Sequence, residues 1–395
     1  TEQTQSSAIE ERWSRGGSRR RLMASALEAV AANGPSGVSG RAVARAAGVH
    51  HAQIQQMFGS VDGLVTAALI AERDRFVAEV ITSVDGLPDP FSITGFPLFW
   101  RAITQVVLDP GHVDMAMLTE HGPIARLADR LGSSTPASDG RDYQSARATA
   151  WVLAPLGALV FRRPLQEGLG ISAEQWPACW SRIGRRLRAL PLSPPPLLQV
   201  VESRTPERDP VPAPVKAREK LVHAAEDLLA FRLESHVRGR ELADHADVNY
   251  GLVNHYFGSK NAVFDEALER LHERFRDDVL EVFGEAGQLG LDEVFSRHLP
   301  FLRAWASRLL GERPVPEFKL LGVRRVLDRV MEARGISPED ESGVLDAAGD
   351  TLAAVGLQAG WALFAPLLTA SGTPGTETIT QHDRSIYFWL LSDDG

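Results

Sequence analysis

Two clusters of polar side chains have types and spacing that point to a chemistry. One is His50-His51 followed by Gln53, Gln55 and Gln56. The other, 199 residues later, is Asn249-Tyr250 followed by Asn254-His255-Tyr256. Gln and Asn amides pair bidentately with adenine edges, and His and Tyr add single donors or acceptors. Arg19, Arg20, Arg21, Ser39 and Arg41 precede the first cluster, while Arg238, Arg240 and Lys260 flank the second. Cations and hydroxyls so placed suit phosphate oxygens. The expected chemistry is therefore hydrogen bonding to double-stranded DNA, not bond breaking. No nucleophile, histidine and acid form a catalytic set, so no enzyme is expected. His50-His51 has no third ligand at a metal spacing. The Gly-rich stretch from Gly34 to Gly40 lacks a phosphate-loop lysine and a preceding strand. No metal or cofactor is expected.

The elements that position these residues read as helices. Leu22, Ala26, Leu27 and Val30 mark one apolar face over Arg20 to Ala32, and Asn33-Gly34-Pro35 ends it. Arg41 to Ala47 is a short helix closed by Gly48, and His51 to Phe58 is another. Ser60 begins a long helix with Asp62 in its first turn. Ala44 and Ala47 let the two short helices approach, Gly48 permits a left-handed turn, and Val43, Val49 and Ile54 fill the space between. Leu242, Ala243, Ala246, Val248 and Val253 repeat the pattern, with Asp247 at the turn. This is helix-turn-helix spacing, which lays its second helix in the major groove. Neither half holds an alternating β run, so the expected fold class is all-α.

The recurrence is general. Arg41 to Val49 lies over Arg240 to Val248, Phe58-Gly-Ser60 over Phe257-Gly-Ser259, and Arg75-Phe76 over Arg274-Phe275. Arg19, Gly40, Ala68, Leu69 and Val80 also meet identical residues at this offset. The period is far longer than the roughly 20–50 residues of a solenoid unit and has the length of a subunit. Eight prolines between Pro191 and Pro214 mark a linker. Extended at about 3.1 Å per residue, it could reach roughly 70 Å. The expected plan is a DNA-binding domain over 1–60, a helical domain over 61–190, the linker over 191–214, a second DNA-binding domain over 215–259 and a second helical domain over 260–395.

With these residues in place, the chain resembles the TetR family of transcriptional regulators. Leu22 to Gly34, Arg41 to Val49 and Phe58-Gly59-Ser60 carry the likeness in the first repeat. Leu221 to Leu229, Arg240 to Val248 and Asn254-His-Tyr-Phe-Gly-Ser-Lys260 carry it in the second. The likeness covers about 60 residues of each repeat. It implies a three-helix DNA-binding unit followed by a helical effector domain. It also implies pairing of two subunits on a near-palindromic operator. One period equals one family subunit, so the chain resembles a covalent pseudo-dimer, with a further homodimer left open. The unlike reading residues imply an asymmetric operator. The resemblance further implies a cytoplasmic, ligand-responsive regulator, read here as a repressor. The alternative is a small-molecule- or partner-binding protein of the same fold with degraded DNA binding.

Charge and hydropathy refine this picture. The net charge is −9, but Arg12 to Val61 holds seven arginines against Glu28 alone, whereas Lys216 to Lys260 holds seven basic and seven acidic residues. The first unit is therefore expected to supply most of the electrostatic grip. Leu352 to Ala370 is apolar enough to span a bilayer, but its Pro366, Gly356 and Gly360 and its shorter counterpart, Ala148 to Phe161, favour paired core helices and no membrane. Cys179, the sole cysteine, excludes an internal disulfide and reads as a buried, inert thiol. Candidate ligand-binding residues are Trp100, Arg101, His121, Trp151 and Phe161 in the first repeat and Arg303, Trp305 and Trp361 in the second. The set holds few ionisable groups, so a small, mostly apolar effector is expected.

Overall fold

Ala, Leu, Arg and Glu, the strong helix formers, fill the periodic segments of this chain. The computed structural model describes residues 2–82, 88–133, 138–193, 216–284, 291–311, 321–370 and 376–392. The fold is all-α, with no strand among the described residues. The linker expected over 191–214 lies outside the described residues from 194 onward. The described chain falls into two compact units, one of residues 1–131 with 366–374, the other of 132–365 with 375–395.

In the first unit, α1 (Glu2–Asn33) leads to α2 (Gly40–Ala46), α3 (Ala52–Phe58) and α4 (Val61–Phe76). α5 (Pro97–Leu108), α6 (Met115–Thr119) and α7 (Pro123–Ser133) follow. The helix expected from Arg20 starts much earlier. No proline interrupts Glu2 to Asn33, and Gly16-Gly17 costs a helix only about 1 kcal/mol per glycine. Arg19, Arg20 and Arg21 therefore all lie within α1. Gly34, at φ 70°, ends α1 where expected. Leu22 and Ala26 of α1 pack with Val43, Ala44 and Ala47, Ile54, and Leu64 and Ala68 of α4. Buried Arg73 braces this unit, donating to the Met117 carbonyl at 2.5 Å and so tying α6 to α4.

In the second unit, α8 (Ser138–Val160), α9 (Arg162–Leu169) and α10 (Trp176–Ala189) precede the span 194–215, which lies outside the described residues. Beyond it come α11 (Ala217–Leu229), α12 (Gly239–His245), α13 (Gly251–Phe257) and α14 (Lys260–Gly284). α15 (Leu291–Arg297), α16 (Leu299–Leu310), α17 (Leu321–Ala333), α18 (Glu341–Ala370) and α19 (Thr376–Leu391) complete it. α8 and α18 are the two apolar runs, each longer at its N-terminal end than expected. They cross with backbones in contact. A Cβ on Gly157 would stand 2.0 Å from the Gly356 carbonyl oxygen, and one on Gly360 would stand 2.2 Å from that of Leu153. α8 also packs along α19, and α9 along α17. α18 is long and apolar enough to cross a bilayer, but 72% of its apolar window is buried against protein. Cys179 is fully buried, its thiol 3.7 Å from the Leu345 carbonyl, and burial pushes its pKa up to about 12.

Candidate nucleic-acid interface

Each helix-turn-helix begins with a glycine under a ring. Gly40 opens α2, and a Cβ there would lie 3.1 Å from His51 Nε2. Gly239 opens α12, and a Cβ there would lie 2.7 Å from the Tyr250 ring. The residue ahead of the reading helix thus lies over the start of the helix before it. The turns match too. Gly48 has φ 64°, and Asp247, with φ 51°, is the one non-glycine residue at positive φ among those described. Val49 and Val248 then donate backbone bonds at 3.0 Å to Ala44 and Ala243. Gly59 and Gly258, at φ 76° and 73°, end the two reading helices.

Several expected contact residues have local tasks. The Ser39 hydroxyl accepts from Ala42 N at 3.4 Å and caps α2. His50 Nδ1 accepts from Ala52 N at 3.4 Å, and Asn249 Oδ1 accepts from Gly251 N at 2.8 Å. Both remain exposed, one residue ahead of the N-cap of a reading helix. Gln53 is half-buried, with Oε1 shielded and unbonded. Lys260 also has a local task. Its ammonium donates to the Glu234 and Val237 carbonyls at 2.9 and 2.6 Å, because its stem leads back under the turn before α12. Arg21 Nε donates to the Ala47 carbonyl at 2.9 Å. Arg19 stacks 4.5 Å over Phe58, as Arg218 stacks 4.8 Å over Phe257. Exposed and facing solvent are His51, Gln55, Gln56, Arg20 and Arg41 in the first unit. In the second they are Tyr250, Asn254, His255, Tyr256, Arg238 and Arg240.

The electrostatics of the two surfaces differ. Among the described residues, no acid pairs with Arg20, Arg41 or Arg45. In the second unit Arg218 bonds Glu266, Arg270 bonds Glu219 and Glu266, and Arg274 bonds Glu226 at 2.8 Å. Arg232 bonds Glu241, and Lys220 lies 3.6 Å from Asp247. Hydrogen bonding from Arg270 holds the Glu219 carboxyl below its ordinary pKa, so this ladder stays charged at neutral pH.

Trp100, Phe161 and Trp305 lie in two aromatic clusters. Phe76 contacts Phe96, Phe99 and Trp100 at 5.1, 6.0 and 5.0 Å in the first unit. Trp100 is 6% exposed, and its indole N–H meets no acceptor. In the second unit Phe275, one repeat on from Phe76, contacts Phe295, His298 and Phe301, and Trp305 bridges Phe301 and Phe161 at 5.1 and 5.4 Å. Trp151 is fully buried within α8; Trp361 and Arg303 are half-buried. Two candidates lie outside both clusters. Arg101 is exposed and donates to the Ala31 carbonyl at 2.8 Å, fastening α5 to α1. His121 is exposed in the turn between α6 and α7. Both polar heads reach solvent or backbone because the apolar faces of their segments are already spent on the core. Sequence reading missed the charged set of Arg182, Arg186, Arg334 and Asp350. The signal was Asp350, an acid directly ahead of the apolar run from Leu352.

No protein-family model matches the chain. The HTH-type transcriptional repressor Rv3405c of Mycobacterium tuberculosis is 30% identical over 153 residues, which is 38% of this chain and 74% of that relative. The HTH-type transcriptional regulator Mb3439c of Mycobacterium bovis matches with the same identity and coverage.

Proposed function

Since the chain belongs to the HTH-type transcriptional regulators, we propose that it is a single-chain, ligand-responsive repressor of the TetR type whose two reading helices recognise the unlike halves of one operator. One observation carries the pairing. Gly157 and Gly356 occupy the same position in the two repeats and meet at the crossing of α8 and α18. At a two-fold interface a residue on the axis contacts its own equivalent. Leu153 and Leu352, and Ala154 and Ala353, also match there. This supports a covalent pseudo-dimer with its pairing helices in contact. The unlike exposed sets, His51 with Gln55 and Gln56 against Tyr250 with Asn254, His255 and Tyr256, support an asymmetric operator. Footprinting and the mass of the complex test this reading. One chain on one site with two different half-sites is expected. A perfect palindrome covered by two chains would overturn it, because each chain would then supply a single reader.

A mostly apolar effector with one hydrogen-bond acceptor fits the first repeat, where the Trp100 indole N–H is buried among rings without a partner. Such a ligand releases DNA only by binding one state of the repressor more tightly than the other. Titration calorimetry is expected to give one ligand per chain. A second reading, degraded DNA binding, draws on the ladder of ion pairs in the second unit. Retention on duplex DNA that weakens steeply with salt separates the two.

A further inference from the structure

Charge joins α10 to α18. Arg182 Nε and Nη2 donate to the Asp350 carboxylate at 2.7 and 3.1 Å, and Nη1 reaches Asp346 at 3.4 Å. Arg334 donates to the same carboxylate at 2.8 Å. Arg186 lies 3.5 Å from it and donates to the Trp389, Leu390 and Ser392 carbonyls at 2.7, 3.0 and 2.9 Å. Those carbonyls close α19. The Asp350 side chain has no exposed surface, and Arg186 keeps only 3% of its own. A carboxylate so enclosed is tolerated only while its cations stay in place.

The members of this set are not shared between the repeats. One period before Asp350 and Asp346 stand Trp151 and Arg147. One period after Arg182 and Arg186 stand Gln381 and Ser385. If two first-repeat faces were paired, Arg182 and Arg186 would confront Arg147 and Trp151, with no acid to receive them. If two second-repeat faces were paired, Asp350 would be buried with Arg334 and without the other two guanidiniums. The crossing glycines, alike in both repeats, discriminate nothing. Attraction therefore comes from the shared residues, and choice of partner from the unlike ones.

We infer that this pairing face is heterospecific: α10 of the first repeat fits α18 of the second, and neither repeat fits a copy of itself, so the partner of each half is the other half. The inference rests on the pseudo-dimer reading.

Full-length protein carrying a protease site in the linker, cut after folding, provides the test. The two fragments are expected to elute together at the mass of the uncut chain. Native mass spectrometry after mixing with isotope-labelled cut protein should show exchange between unlike partners only. Asp350→Asn is expected to raise the dissociation constant of the cut pair at least tenfold and to let pairs of the second fragment form. Arg182→Gln, at the half-exposed edge, gives a smaller shift in the same direction and serves if the first variant does not fold. Fragments that separate at once would refute the pairing itself. Fragments that stay associated but form like pairs in the wild type would leave the pseudo-dimer standing and refute the charge code. Unchanged affinity in both variants would refute it too.

Discussion

Arg20 in the first helix-turn-helix unit stands where Glu219 stands in the second, Arg45 where Asp244 stands, and Gly48 where Asp247 stands. Around these differences the backbone is the same. The turns are left-handed at the same place, the side chains of His50 and Asn249 accept the same local backbone bond, and an arginine stacks on the same phenylalanine. The comparison separates what the fold requires from what the surface is free to vary. Val43, Ala44 and Ile54 are buried, as are Leu242, Ala243 and Val253, and a change of volume there is felt as a cavity or a clash. Residues 20, 45 and 48 are exposed and cost the fold little when they change.

The largest effect follows from the free cations. Replacing Arg20, Arg41 and Arg45 by Gln should lower affinity on every DNA sequence and flatten the salt slope by about 0.9 for each phosphate no longer neutralised. A second-unit set, Arg218, Lys220 and Arg240, of which only Arg240 lies one period on from the first set, is partly spent on Glu266 and Asp247. Its replacement should change the slope far less. Binding measured across a salt series decides this. A larger change from the second set would reverse the electrostatic comparison.

Lys260 sharpens the same contrast. By position it resembles a DNA contact, yet its ammonium holds two carbonyls of the turn ahead of α12. Lys260→Met should destabilise the second helix-turn-helix by about 1–3 kcal/mol, the cost of leaving such groups unpaired. It should leave the salt slope on DNA unchanged. Denaturant melts and a salt series on one variant check both halves. A lowered slope with unchanged stability would return Lys260 to the interface.

What could be read from the chain follows the range of the interaction. Left-handed turns, helix caps and apolar stripes are local, and Gly48, Ser60 and Ile54 could be placed without coordinates. Asp247 could be placed at its turn by alignment with Gly48. Lys260, Arg101 and Asp350 could not, because their partners lie 16 to 168 residues away. Their side chains are long or charged and can end in solvent or on a distant carbonyl, and hydropathy does not distinguish the two. The repeat narrows the gap only where both copies keep the same residue, as at Gly157 and Gly356.

The two aromatic clusters predict a third, smaller difference. His298 occupies the second cluster beside Phe275, where the first cluster has Phe96 beside Phe76. Burial lowers the His298 pKa from its ordinary value, and the Asp278 carboxylate, 2.9 Å away, opposes that shift only in part. A histidine whose folded pKa is depressed stabilises the fold above its unfolded pKa of about 6.5, and that stability is lost as pH falls from there towards the folded pKa. Thermal melts should therefore drop as pH is lowered below about 6.5, and His298→Phe should weaken the drop. Some dependence should remain, because burial lowers the His382 pKa as well. Identical pH profiles for wild type and variant would remove His298 from the account.

The smallest effect is at the turn itself. Asp247 holds φ 51°, where a side chain costs roughly 1–2 kcal/mol relative to glycine, less for Asp, whose short polar group tolerates the region. Asp247→Gly relieves that cost but frees the unfolded chain, which returns part of it. It also removes an ion pair with Lys220 that is almost fully exposed on the Asp247 side and so is worth little. The balance should be a gain of about 0.5 kcal/mol in the second helix-turn-helix. The reciprocal change, Gly48→Asp, should cost the first unit a similar amount. DNA affinity should rise with the first change, which removes an anion beside the reading helix, and fall with the second, which adds one. Stability and affinity should thus move together within each unit and in opposite directions between the two. A stability change with no change in affinity would mean that the turn residue acts through the backbone alone.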